Sequence, residues 1–166
     1  ATSISVGGTW IVATAGTGAD SARLVVTNNA ATVSISPSSA TIGSIGDSVL
    51  LTATARNLQG SVIGGAAIIW SSNNTGIATV SPAGYVKAVS TGTAQITATV
   101  NSVAASVNVT VGNAPAVVQI TSLDTTLASV GDSWTPAVNI RNSLGTTLPR
   151  DAVTWTTSDA NVATVS

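Results

Sequence analysis

The chain has 166 residues, a net charge of −1, 44% apolar residues and only 7% charged ones, which is room for one large or two small domains. Ordinary domains carry about 25% charge, so Ser, Thr, Asn and backbone must cover this surface, together with neighbouring copies or glycans. Nucleic acid is excluded for want of a basic face. Membrane insertion is not expected, because no apolar run is long enough to span as a helix, and residues from Ala1 do not read as a signal peptide, so any such segment is expected to have been removed or to lie outside this window.

Short runs of Val, Ile, Thr and Ala alternate with polar residues, and Gly, Asn, Asp, Ser and Pro interrupt them. That pattern predicts an all-β sandwich. Residues 1–5 and 9–15 predict two strands with Gly7-Gly8 turning between them, and 20–26 predict a third. In the second strand Ile11, Ala13 and Ala15 share the core parity, which sends Trp10 and Val12 outward. An outward Trp either packs on the rim of its own module or anchors a contact with another chain. The linker 28–32 follows.

A strand at 33–36 should break at Pro37 and resume near 40–42, since proline cannot donate to a ladder. Gly46-Asp47 marks a turn. Residues 49–55 predict one strand with Val49, Leu51, Ala53 and Ala55 on one face and Leu50 outward. After a loop to Gly65 comes a strand carrying Ile68 and Trp70 on the core side and Ile69 on the other, with Trp70 as the plug of the sandwich. Strands at 77–81, 85–89, 94–100 and 105–111 complete the module. The linker 112–116 carries Pro115, and neither linker has a flexible Gly/Ser tract, so successive modules should sit at a fairly fixed angle. Residues 117–166 then read as the first half of another module, with Trp155 in the place of Trp70.

The chain repeats itself at an offset of 85 residues, the self-comparison to make first in such a sequence. Gly46-Asp47-Ser48 falls on Gly131-Asp132-Ser133, Arg56-Asn57 on Arg141-Asn142, and Trp70 on Trp155. At the front Gly7 falls on Gly92, Ile11 on Ile96, and Val26 on Val111. Three units follow: closing strands of a module at 1–31, a complete module at 32–115, and opening strands of a further module at 116–166. The phase of the two ends has two readings, a window on a longer tandem array or strands of one copy completing the half-module of another.

The run Trp70-Ser71-Ser72, then Ile77-Ala78-Thr79-Val80-Ser81, Gly84-Tyr85-Val86-Lys87-Ala88 and Gly92-Thr93-Ala94-Gln95-Ile96-Thr97-Ala98 resembles the bacterial immunoglobulin-like domain, group 2. Val33-Ser34-Ile35-Ser36-Pro37 at the start and Val107-Asn108-Val109-Thr110-Val111 at the end extend the resemblance. It implies tandem Ig-like β-sandwiches of bacterial adhesins, surface layers, other envelope proteins or phage particles, and a location on a cell or virion surface. It implies a spacer or binding module without catalytic residues; fold alone does not assign a function.

Catalysis has little to work with. There is no His for a nucleophilic triad and neither His nor Cys for zinc. The six acids are Asp20, Asp47, Asp124, Asp132, Asp151 and Asp159, with no DxDxD run for calcium. Asp47 and Asp132 occupy the same turn twice, which reads as a structural cap. Asn73-Asn74-Thr75 and Asn108-Val109-Thr110 match the glycosylation tripeptide, a frequent coincidence in such chains.

The expectation is therefore a non-enzymatic structural protein with no cofactor and no metal. Its partners are copies of itself, with carbohydrate as a further candidate, although only Trp10 and Tyr85 could offer an aromatic platform. Trp10, Val12, Leu50 and Ile69 are the interface candidates, and Trp70 and Trp155 the structural core. The other expectation is a stalk in a large adhesin whose binding domain lies elsewhere.

Overall fold

The computed structural model describes every residue except Leu123, Asp151, Ala152 and Ser166, so the sequence-level remarks on Asp151 and Ser166 fall outside the described residues. Among the described residues all regular structure is strand. The order is β1 (Gly7–Ala15), β2 (Gly18–Val26), β3 (Thr32–Ser36), β4 (Ser39–Ile42), β5 (Ser48–Leu50), β6 (Thr52–Arg56), β7 (Ile69–Ser72), β8 (Ala78–Val80), β9 (Tyr85–Ala88), β10 (Gly92–Val100), β11 (Val103–Val111), β12 (Val117–Ile120) and β13 (Val138–Arg141).

The central module is a two-layer sandwich. One layer is the sheet β4-β11-β10-β7, with β4 parallel to β11 and the other pairs antiparallel. The other layer holds the pair β3-β6 and the triple β5-β9-β8. Alternation along β10 and β11 buries Ala94, Ile96, Ala98, Val107, Val109 and Val111, and all of these but Ala98 join Leu51, Ala78, Val86 and Ile42 in one core cluster. Trp70 packs against that cluster from β7. The chain leaves one sheet and enters the other at Pro37, which stands between β3 and β4.

Two expectations change. The predicted strand at 49–55 is split at Leu51. Its amide donates to the carbonyl of Gly84 at 2.9 Å while the side chain is buried, so β5 pairs with β9 and β6 with β3. At the front, residues 1–5 form no strand, and Gly7 and Gly8 lie inside β1 opposite Val26 and Val25. The hairpin turns at Gly16 instead, with φ 59°. Residues 1–3 stand at the repeat positions of β9, and β9 is a strand only because β5 and β8 flank it. No strand forms without a ladder partner.

Outside the central module the β1-β2 hairpin exposes all of β1, and only Leu24 and Val26 of β2 are half-buried. Residues 117–165 place β12 against β13 in the register of β3 against β6, one repeat on. Val138, Ile140 and Leu148 form a small core there, with Val153 and Trp155 packed against it.

Candidate assembly site

The same side chains behave differently at equivalent positions, and the contrast locates the site. Ile96 of β10 is fully buried, whereas its repeat partner Ile11 is 46% exposed. Ile42 is buried at 3%, whereas its partner Leu127 is 46% exposed. Ile35 and Ile45 pack on the central core, but their partners Ile120 and Val130 stand in solvent. The chemistry is unchanged between copies. What differs is the facing layer: β10, β11 and β4 lie over β3, β5, β6, β8 and β9 in the central module, and neither Ile11 nor Ile120 has such a layer opposite it.

Two apolar surfaces result. One is the inner face of the β1-β2 hairpin, with Ile11, Ala13, Ala22, Leu24 and Val26 in the parity of the buried β10-β11 residues. The other surrounds the small core of Val138, Ile140 and Leu148, where Val118, Ile120, Leu127, Val130 and Trp134 are exposed. Each resembles one half of a sandwich that the central module shows closed.

Of the interface candidates, Trp10 is 62% exposed, Val12 58%, Leu50 43% and Ile69 67%. Trp10 and Val12 share the outer face of the hairpin, with Trp10 opposite Arg23. Leu50 lies opposite Tyr85 in one layer of the central module and Ile69 opposite Thr99 in the other, so these two share no surface. Trp70 and Trp155 both pack against cores. Sequence pattern marks Leu127, Val130 and Trp134 as apolar residues in need of partners but does not single out Leu58, Val118 and Ile120; their exposure in the structure is the signal that finds them.

Where modules meet, a polar joint holds them. The linker is tied to the central module by the amides of Gly112 and Ala114, which donate to Ile42 and Gly43 at 2.8 and 3.1 Å. It is tied to the next unit by Ala116, whose amide donates to Arg141 at 2.8 Å, and by Asn142 Nδ2, which donates to Asn113 Oδ1 at 3.0 Å. The hydroxyls of Ser44 and Ser143 meet directly at 2.8 Å. Half of this joint recurs one repeat earlier, where Ala31 N donates to Arg56 O at 2.8 Å and Asn57 Nδ2 to Asn28 Oδ1 at 2.9 Å. Asn57 and Asn142 also use Oδ1 to accept two amides of their own loops. Paired contacts on both sides add to the stiffness that Pro115 gives the linker.

Four of the acids accept from nearby backbone amides. Asp47 accepts from the Ser48 amide at 2.7 Å, Asp132 from Ser129 at 2.9 Å and Asp20 from Ser21 at 2.8 Å. Asp159 accepts from Asn161 as its repeat partner Asn74 accepts from Gly76. Among the described residues no cluster of acids could hold a metal ion, and no helix is long and apolar enough to cross a membrane.

Comparison with known proteins adds the following. The bacterial Ig-like domain (group 2) family matches residues 29–111. No curated protein matches the chain. Among solved structures, domains 4 and 5 of the S-layer protein SbsC are similar at 19% identity and TM-score 0.46, over 66% of this chain and 60% of that one. Domains 1–6 of SbsC are similar at 18% identity and TM-score 0.49, over 87% of this chain and 21% of that one. Domains 4–9 give 19% identity and TM-score 0.48, over 88% and 25%. The chain thus spans less than two thirds of each of these structures.

Proposed function

The chain belongs to the bacterial Ig-like domain (group 2) family, and from that premise we propose that it is a structural, non-enzymatic element of a bacterial surface layer or extracellular filament. It works outside the cell, and its partners are copies of itself. Its units are the closing strands at 1–31, the complete module at 32–115 and the opening strands at 116–166. Copies join by strand complementation: the β1-β2 hairpin of one copy closes the half-module of another.

The observation that carries this reading is the pair of unmatched apolar surfaces on one chain. The hairpin residues Ile11, Leu24 and Val26 stand at the repeat positions of Ile96, Val109 and Val111, all three of which are buried in the closed sandwich. Burial of each such side chain is worth about 1.5–3 kcal/mol. Main-chain hydrogen bonds to the flanking strands would add affinity, as in other cases of strand addition. Transferred through the repeat, the pairing of Asn108 with Ser39 sets Arg23 opposite Asp124. Opposite charges at that position favour the heterologous pair and cost nothing in the closed central module.

Trp10, Val12, Leu50 and Ile69 remain outward in this arrangement and are available for lateral contacts between joined copies. The contact is head-to-tail, a geometry that builds open filaments when successive rotations do not close into a ring.

Electron microscopy and sedimentation of the purified chain test the proposal. Fibres or sheets that vanish when residues 1–27 are removed are the expected result. A protein that stays monomeric at every concentration would overturn it. Since the chain has no cysteine, the variant carrying both Arg23→Cys and Asp124→Cys reports the exchange directly, as a ladder of disulfide-linked multimers.

A further inference from the structure

The joint inside the chain has an unfilled counterpart on the same molecule. The loop that begins at Asn142 receives the Ser44 turn of the module before it, and Asn142 is 1% exposed as a consequence. The equivalent loop of the central module begins at Asn57 and has the same internal hydrogen bonds. Its Asn28 clasp and Ala31 bond are already made. Among the described residues no turn seats on it as the Ser44 turn does on the Asn142 loop, and Leu58, at the repeat position of Ser143, is 85% exposed. The counterpart of Ser44 one repeat on is Ser129, in the turn that Asp132 caps.

We infer that the joint between copies is the joint within the chain: the Ser129 turn of one copy seats on the Asn57 loop of the next, with Leu58 against Ser129. This rests on the strand-exchange reading, because the exchanged hairpin runs directly into this loop through Asn28. The transferred geometry is specific. Gly112 N to Ile42 O becomes Thr27 N to Leu127 O of the other copy, and Ala114 N to Gly43 O becomes Asn29 N to Ala128 O.

Gly46, where a Cβ would meet Leu144 Cδ1 at 3.6 Å, becomes Gly131 beside Gln59. The polar half of the clasp stands preformed on the receiving side, so docking orders little further chain. Every module-to-module step, within a copy or between copies, then has the same rotation and rise. The assembly repeats per module and not only per chain.

Engineered thiols test this on the full chain, which has no cysteine of its own. The pair Ser44→Cys with Ser143→Cys is the internal control: its parent hydroxyls are 2.8 Å apart, so it should close within one chain. The pair Leu58→Cys with Ser129→Cys should instead give a ladder of covalent multimers on oxidation, lost on reduction. If the control closes and the pair at 23 and 124 gives a ladder while the pair at 58 and 129 stays uncrosslinked, the joint is wrong and strand exchange stands. If neither intermolecular pair crosslinks, both fall.

Discussion

At the residue scale, backbone conformation and single polar side chains set the module. Gly84 has φ 85°, and a Cβ there would collide with the Leu51 carbonyl oxygen that lies where the strand splits. Gly60 has φ 78° but open space around it. Gly84→Ala should therefore destabilise by about 2–3 kcal/mol, strain and collision together. Gly60→Ala should cost about 1–2 kcal/mol from the left-handed backbone alone; denaturant midpoints of the two variants compare them. Asn142 is buried and serves the amides of Leu144 and Thr146 as well as Asn113. Removing it as Asn142→Ala breaks three part-buried hydrogen bonds, a cost of about 1–3 kcal/mol together. Hydrogen exchange at Leu144 and Thr146 should accelerate, and more than at Gln59 and Ser61 in Asn57→Ala, whose loop already meets water.

At the element scale, the hairpin and the central module are separable. Every core residue of the central cluster lies between Ile35 and Val111, so it needs nothing from β1 or β2. A chain without residues 1–27 should keep the thermal transition of the central module, as followed by Trp70 fluorescence, and lose assembly. Loss of that transition would mean that the hairpin supports the module it precedes. Trp70 itself packs across the layers. Trp70→Ala should lower the stability of the module by about 3 kcal/mol, the low end for a large aromatic because Trp70 is only partly buried.

For the whole molecule, sparse charge bears on the proposed assembly. With 5 basic and 6 acidic residues in 166, the proposed contacts between copies would be dominated by apolar area and main-chain bonds. Screening acts on exposed charges and hardly on such contacts. Assembly followed by light scattering should therefore change little as sodium chloride is raised, and should strengthen in sulfate, which favours burial of apolar surface. A steep loss of assembly with sodium chloride would point to an electrostatic interface instead.

The alternation along 94–100 and 105–111, the break at Pro37 and the core side of Trp70 were legible in the residues, because they follow from local periodicity and from proline's missing donor. The repeat of 85 residues and the family likewise belong to the sequence. Local patterns do not say which strand pairs with which. For that reason only the tertiary structure decided that Leu51 divides its strand to reach Gly84, and that Gly7 and Gly8 pair instead of turning. It alone decided which apolar faces stay open, since Ile11 and Ile96 are the same residue in the same local pattern. Whether such a side chain is core or surface depends on a facing layer supplied from a distant part of the chain.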